Sequence, residues 1–267
     1  MRGMFDAYLE EKHLAGNTKI AYLTAVRQFE KKFGSFSKEN LENYRNWMKE
    51  TYSPRTVNLR VCGMNCYLEW LRKPQWKLKA VRVQQNAFLE NVISDKDYRF
   101  IRNRLKQDGK MMWYFIVRYM AATGMRVSEL LQMKAEDVKA GHVDLYAKGG
   151  KMRRIYIPNE LQKETLSWTR SLSRESGFLF ISKKGTRMTP GGLYCQLKKL
   201  GKRYGISPLV MHPHSFRHRF AKNFLERCND LSFLADLMGH ENTETTRIYL
   251  RKTSNEQADL VSRVVDW

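Results

Sequence analysis

The chain has 267 residues, enough for one or two domains, and 42% of them are apolar, which is enough to fill a hydrophobic core. Its formal net charge is +21, an excess that favours a polyanionic partner, most often nucleic acid, over a merely basic soluble protein. No run of about 18 apolar residues predicts a membrane-spanning helix, and no low-complexity tract predicts disorder.

The first 76 residues predict a small all-helical domain. Apolar residues recur at helical spacing in MFDAYLEEKHL, in TKIAYLTAVRQFEKKF and in two later segments. Asn17 or Thr18 is predicted to cap the second helix, whose apolar face includes Ile20. Ser37 and Ser53 are predicted to start the third and fourth helices.

Residues 77–92 are predicted to be a linker because they are basic and have no clear helical face. Ser94 or Asp95 then caps the first helix of a second domain, residues 93–267. This domain predicts a mostly helical structure with one β-hairpin, in which HVDLYAK and RRIYIP alternate polar and apolar residues around the turn signal KGGKM. Lys148 lies at the tip of that hairpin.

The segment AATGMRVSELL predicts a corner between two helices. Gly124 can end the first helix, and the second begins near Val127. Arg126 therefore lies at the corner, where its planar guanidinium group suits a phosphate. Glu129, three residues later, can orient a partner or pair with Arg126.

The segment MHPHSFRHRF allows three interpretations: a metal site, a phosphate site or a basic surface. On a helix, His214 and Arg217 lie near one edge of an apolar face that includes Phe216, and His218 is one turn from His214. Zinc needs a third or fourth ligand, and the sequence has neither HExxH nor a cysteine at ligand spacing. No metal site is therefore predicted here.

The four cysteines form no CxxC pair, which predicts free thiols in a reducing cytoplasm. Cys62 and Cys66 are four residues apart on a predicted helix, where packing is a better explanation than metal binding.

The segment LMGHENTETTRIYLR carries a candidate nucleophile. Gly239 is predicted to close a helix, His240 lies in the following turn, and a short helix, capped by Asn242 or Thr243, carries Tyr249. A single tyrosine here would usually be a core residue. Beside a histidine and two fixed arginines it is a candidate for covalent catalysis.

Together these motifs resemble the tyrosine recombinase family, also called phage integrases, and especially its short Xer-like members. TGMRVSEL resembles the first arginine motif of the family, AKGGKMRRIYIP its lysine hairpin, HPHSFRH its H-x-x-R motif and GHENTETTRIY its final histidine–tyrosine motif. SPRTVNLRVCGMNCYLEWL resembles the last long helix of the core-binding domain.

The resemblance implies a mainly α fold of the DNA breaking-rejoining type, with a helical core-binding domain and a mostly α catalytic domain that holds a small antiparallel β-sheet. It implies no metal and no cofactor, and it makes Glu129 a supporting acid. Arg219 stands where the family has a small hydroxyl residue, and it is a candidate for an added phosphate contact. The implied catalytic residues are Arg126, Lys148, His214, Arg217, His240 and Tyr249.

The activity implied is site-specific recombination of double-stranded DNA through a 3′-phosphotyrosyl intermediate, for integration, excision, inversion or dimer resolution, as in mobile elements. The partners implied are a DNA recombination site and three further copies of the chain, joined in a homotetramer by exchange of C-terminal tails. Leu260, Val261 and Val264 lie on one face of that tail, which could instead pack on its own domain. Three other functions stay open: a type IB topoisomerase, a non-catalytic helix-turn-helix regulator and a metal nuclease.

Overall fold

The protein is mainly α-helical with one small antiparallel sheet, as the sequence predicts. The computed structural model describes residues 2–84, 89–146, 152–239, 244–251 and 254–265. The chain divides into two compact units, Met1–Gln85 and Asn86–Trp267. No helix among the described residues is long and apolar enough to cross a membrane.

Unit 1 is built on an aromatic core. Phe5, Phe29 and Tyr44 are almost completely buried, because each lies at a helical position that faces the other helices. Ser37 caps the third helix by accepting a hydrogen bond from the Asn40 backbone N–H at 3.1 Å. The helices are α1 (Arg2–Glu11), α2 (Gly16–Phe33), α3 (Lys38–Thr51) and α4 (Pro54–Trp70), followed by a 3₁₀ helix over Pro74–Trp76.

Two asparagines of α4 hold the chain that follows unit 1's helices. The Asn65 side chain accepts from the Leu78 N–H at 2.8 Å and donates to the Leu78 carbonyl at 3.0 Å. Asn58 does the same for Val81, at 2.8 and 2.9 Å. The first part of the segment predicted as a linker therefore runs along α4 with its backbone groups paired.

Unit 2 forms one large core and a smaller one beside it. The large core lies between the fifth and sixth helices, the sheet and the helices that follow it. The helices are α5 (Asp95–Gln107), α6 (Met111–Thr123), α7 (Val127–Leu130), α8 (Ala135–Ala140), α9 (Asn159–Ser171), α10 (Pro190–Arg203), α11 (Pro213–Cys228), α12 (Leu231–Met238), α13 (Glu244–Arg247) and α14 (Ser254–Val264), with a 3₁₀ helix over Ile248–Leu250.

The sheet consists of β1 (His142–Tyr146) and β2 (Met152–Tyr156), paired antiparallel so that Asp144 faces Arg154. These strands fall where the sequence predicts the hairpin. The hairpin tip, residues 147–151, lies outside the described residues. Along β2 the side chains alternate, so that Ile155 is buried while Arg154 and Tyr156 are exposed.

Candidate active site

The corner that carries Arg126 is fixed by a glycine and a carboxylate. Gly124 ends α6 at φ +61°, and a Cβ there would lie 2.3 Å from the Phe220 ring, so this close turn needs glycine. The Arg126 backbone N–H donates to Glu129 Oε2 at 2.6 Å. Because both the turn and the N-cap residue of α7 are held, the Arg126 backbone is fixed in position.

The Arg126 guanidinium group lies at the edge of the site. It donates to Glu129 Oε1 at 3.0 Å and to the Gly239 carbonyl at 2.9 Å. The side chain is still 41% exposed, and a guanidinium group has five N–H donors. Arg126 is thus anchored by two contacts and keeps donors for a phosphate.

Arg217 lies deeper, at 3% exposure. Its guanidinium group donates to the Gly124 carbonyl and, at 2.7 Å, to the Met238 carbonyl. Burial and the charge of Arg126 lower the pKa of Arg217 to about 10, so that it stays charged at neutral pH. The structure therefore brings the two predicted arginines together on the carbonyls of successive residues, Met238 and Gly239.

A third arginine, which the sequence analysis did not single out, completes this cluster. Arg153 in β2 donates to the Met238 carbonyl at 2.7 Å and to Glu129 Oε2 at 2.9 Å, and its side chain is 11% exposed. The signal was present in the strand pattern, because Arg153 occupies an inward position two residues before the buried Ile155.

Glu129 pairs with both Arg126 and Arg153. Burial of its carboxyl raises the pKa, but the charge of Arg153 and the hydrogen bonds from Arg126 outweigh burial and hold the pKa below its ordinary value.

Tyr249 lies in the 3₁₀ helix and is 6% exposed, packed against the smaller core with Leu225, Leu234 and Met238. Burial raises the pKa of its phenol, while the charge of Arg217 and a hydrogen bond from it act in the opposite direction. The candidate nucleophile is therefore buried, protonated at neutral pH and in contact with a guanidinium group.

Two histidines of α11 extend from the surface towards this phenol. His214 is exposed, and partial burial of its ring together with the charges of Arg217 and Arg126 lowers its pKa. Its ring centroid is 6.2 Å from that of His218, which in turn is 5.3 Å from that of Tyr249. The sequence placed His218 one turn from His214 but did not predict its contact with Tyr249.

Two predicted site residues, Lys148 and His240, lie outside the described residues. Among the residues that are described, no group of three or more His, Cys, Asp or Glu side chains could hold a metal ion.

The phosphate contact suggested for Arg219 stays a prediction, and in this structure Arg219 contacts other groups. Its side chain is 12% exposed, pairs with Asp95 at 2.7 Å and stacks on the Tyr98 ring at 4.0 Å. Arg219 lies two residues after Arg217 on α11, so the two side chains leave the helix in directions about 160 degrees apart.

The sequence matches the phage integrase family over residues 91–256. The chain belongs to the phage integrase family. Membership makes it a tyrosine-type site-specific DNA recombinase, as the motifs predict.

Relatives of this family match nearly the whole chain. Tyrosine recombinase XerA of Pyrococcus furiosus is 29% identical over 97% of this chain and 92% of its own length. Tyrosine recombinase XerC of Herpetosiphon aurantiacus is 30% identical, covering 95% of this chain and 90% of its own.

The fold is shared with a solved integrase of the Tn1549 transposon in complex with transposon right end DNA. That structure superposes with a TM-score of 0.71 at 17% identity and covers 98% of both chains.

Proposed function

We propose that Tyr249 is the nucleophile of this recombinase and attacks a scissile phosphate of double-stranded DNA. A bond forms between the phenol oxygen and phosphorus, and the bond from phosphorus to the 5′ oxygen breaks. The products are a 3′-phosphotyrosyl linkage and a free 5′ hydroxyl. The observation that carries the proposal is the convergence of Arg126 and Arg217 on adjoining carbonyls beside the phenol.

The two arginines supply electrostatic stabilisation. A phosphodiester is already anionic, and its non-bridging oxygens gather further charge as the phenol attacks. Guanidinium groups that are fixed before the reaction stabilise this charge without reorganisation, and one such donor is worth on the order of 10² to 10³ in rate.

Proton transfer falls to the histidines and lysine. The lowered pKa of His214 keeps its imidazole neutral near pH 7, which suits the role of base towards Tyr249. The His218 ring lies 5.3 Å from the Tyr249 ring, measured between centroids, and can relay the proton. By resemblance, Lys148 protonates the leaving 5′ oxygen and His240 adds a hydrogen bond to the phosphate.

Covalent capture keeps the energy of the phosphodiester bond, so rejoining to a new partner strand needs no nucleotide cofactor. The net charge of +21 suits a DNA duplex as substrate, and the relatives named recombinases and integrases support a specific recombination site within it. We also propose that the protein works in a reducing cytoplasm, because its four cysteines are free thiols.

The exchange of strands between two duplexes engages four protomers, and we assign their coupling to the C-terminal helix. The start of α14 is held to unit 2 of its own chain by an ion pair between Glu256 and Lys222. Its apolar residues Leu260, Val261 and Val264 are 45%, 58% and 59% exposed. An apolar face left open in the single chain supports docking on a neighbouring copy over packing on its own domain.

The experiment is covalent trapping on a nicked suicide substrate that contains the inverted repeats flanking the gene, with EDTA present. We expect an SDS-stable protein–DNA adduct from the wild-type protein. Tyr249→Phe should abolish the adduct and leave the affinity for the duplex unchanged, because it removes one oxygen from a buried side chain.

The other candidate functions give different results in the same assay. A metal nuclease would cut only without EDTA and leave no adduct. A regulator would bind and never cut, and an adduct that persists in Tyr249→Phe would contradict the assignment of the nucleophile. A type IB topoisomerase would form the adduct but never join strands of two different sites.

A further inference from the structure

The end of α12 offers two backbone carbonyls, Met238 and Gly239, that serve as a meeting point for three guanidinium groups. Carbonyls in the last turn of a helix lack partners within the helix, and the helix dipole makes this end negative. Arg153 and Arg217 both donate to the Met238 carbonyl at 2.7 Å, and Arg126 donates to the Gly239 carbonyl at 2.9 Å.

Arg126 and Arg153 close a ring of hydrogen bonds around this point. Each binds one oxygen of the Glu129 carboxylate, Arg126 at 3.0 Å and Arg153 at 2.9 Å. Each also binds one of the two successive carbonyls. The position of the Arg126 guanidinium group is therefore set from two sides, by the Glu129 carboxylate, which Arg153 also binds, and by the Gly239 carbonyl, which follows the Met238 carbonyl that Arg153 binds.

The two arginines differ in what they can reach. The Arg126 side chain is 41% exposed, whereas that of Arg153 is 11% exposed and packs over Gly239, where a Cβ would lie 2.2 Å from Arg153 Nη1. A phosphate at the surface of the site can thus meet Arg126. The Arg153 guanidinium group instead binds the Glu129 carboxylate and the Met238 carbonyl.

The charges also require Arg153. Arg126, Arg153 and Arg217 with Glu129 sum to a net charge of +2, against −1 for a phosphodiester and more in the transition state. Without Arg153 the cluster falls to +1, and Glu129 would pair with Arg126 alone, competing with the phosphate for the same guanidinium group.

We propose that Arg153 is a positioning residue for DNA cleavage, which holds Glu129 and the end of α12 so that Arg126 faces the scissile phosphate. The inference rests on the proposed function, because it assumes that Arg126 binds that phosphate. In this proposal Arg153 acts through the Glu129 carboxylate and the Met238 carbonyl, and not by contact with the DNA.

The test compares Arg153→Met with Arg154→Met in single-turnover adduct formation at saturating protein. Arg154 is the matched control, since it is the next residue and pairs with Asp144 on the exposed face of the sheet. We expect Arg153→Met to slow cleavage about 10²-fold, the scale of a misplacement near 1 Å. Arg154→Met should stay within about twofold of wild type, as expected for an exposed pair. The Kd for DNA should be the same for both.

A double-mutant cycle shows whether Arg153 acts through Arg126. If it does, Arg126→Lys combined with Arg153→Met should be no more than about threefold slower than Arg126→Lys alone, because the lost orientation no longer matters. Independent effects would instead multiply, and that result would overturn the proposal. So would a wild-type rate in Arg153→Met.

Folding is checked by circular dichroism. Should Arg153→Met fail to fold, Arg153→Lys replaces it in the same cycle, since lysine keeps the charge but cannot bridge the carboxylate and the carbonyl. We then expect about tenfold slower cleavage, again absent in the Arg126→Lys background. A wild-type protein that forms no adduct would count against the proposed function and not against the role of Arg153 within the cluster.

Discussion

Glu129 divides one carboxylate between two guanidinium groups, and this arrangement links the stability of unit 2 to pH. The pKa of Glu129 is held below its ordinary value in the folded protein, despite burial, by the charge of Arg153 and the hydrogen bonds from Arg126. A carboxyl with a depressed folded pKa contributes stability at pH values above its unfolded pKa, about 4.3. That contribution is lost as the pH falls through the folded value.

We therefore expect Glu129→Gln to lower the stability at pH 7 by about 3 kcal/mol, because it leaves two guanidinium groups without their anion. The difference from wild type should shrink as the pH falls below the unfolded pKa and through the lower folded pKa, because the wild-type carboxyl then also becomes neutral. Thermal unfolding followed at several pH values measures this.

Asp144→Asn is the control, since Asp144 pairs with Arg154 on the exposed face of the sheet. It should leave the Tm nearly unchanged. A Glu129→Gln deficit that stayed constant from pH 7 to pH 3 would show that the loss comes from packing and not from charge.

The sequence predicted which residues form the cluster better than it predicted how deeply each of them is buried. The motifs named Arg126, Glu129, His214, Arg217 and Tyr249, and the structure gathers these around the end of α12; their catalytic roles stay predictions. The sequence analysis passed over Arg153, because one arginine in a strand is usually solvated and only its inward register shows otherwise. It also gave no sign of the contacts of Arg219, because a helix position alone does not reveal that Asp95 and Tyr98 lie beside it.

Helix ends are the elements that local sequence determines most directly. Ser94 caps α5 as predicted, accepting from the Asp97 N–H at 3.0 Å, and Gly124 and Gly239 end α6 and α12. The predicted cap of α2 is wrong: the helix begins at Gly16 with Ala15 in the cap position and no side-chain cap.

The predicted buried face of α2 is wrong at one position, because Ile20 is 63% exposed. Both errors in α2 have one origin. Which turn of a helix packs against the core depends on the elements around that helix, and the sequence of the helix alone does not determine it.

The end of α12 gives a second prediction, for Gly239→Ala. Alanine at φ +61° costs about 1 to 2 kcal/mol, and its Cβ would displace the Arg153 side chain. We expect both a lower Tm and slower adduct formation.

Gly205→Ala separates these two effects. Gly205 has φ +68°, and nothing lies within 4 Å of the Cβ that alanine would add. This variant should lose a similar amount of stability and cleave DNA at the wild-type rate. Slow cleavage in both variants would attribute the defect to general loss of stability.

The asparagines of α4 give a third prediction, on the segment after unit 1's helices. Asn65→Ala removes the acceptor of the Leu78 N–H, and Asn58→Ala removes that of the Val81 N–H. Hydrogen exchange should become at least about tenfold faster at the Leu78 amide in Asn65→Ala and at the Val81 amide in Asn58→Ala. This is the factor expected for about 1.4 kcal/mol of lost protection.

Asn46→Ala serves as the control, since Asn46 is bonded only to Lys49 among the described contacts of its side chain. Unchanged exchange at Leu78 in Asn65→Ala would mean that packing of the Leu78 side chain, and not the asparagine, holds the segment.

The whole molecule carries its charge in both units. Residues 1–78 hold 14 Lys and Arg against 8 Asp and Glu, and the remainder of the chain is also strongly basic. Each unit is therefore attracted to a polyanion by itself, which is the charge distribution expected of a protein whose two lobes both meet DNA.

Assembly is tested at the tail. Replacement of Leu260, Val261 and Val264 together by serine should abolish the proposed four-protomer complex and the recombinant product, while binding to a single site stays at the wild-type Kd. Analytical ultracentrifugation on DNA measures the complex. Ser262→Asn, on the opposite face of α14, should assemble normally; a tetramer that survives the triple substitution would remove the tail from the interface.

The burial of Tyr249 has a consequence for the genome in which the protein works. A phenol that is enclosed by side chains and keeps its proton reacts slowly with any phosphate that drifts past. With Tyr249 as the proposed nucleophile, a basic protein that binds DNA everywhere would leave few stray breaks during its search. The low reactivity of the buried, protonated phenol would then protect DNA outside the target, and cleavage would be selective where the correct site raises that reactivity.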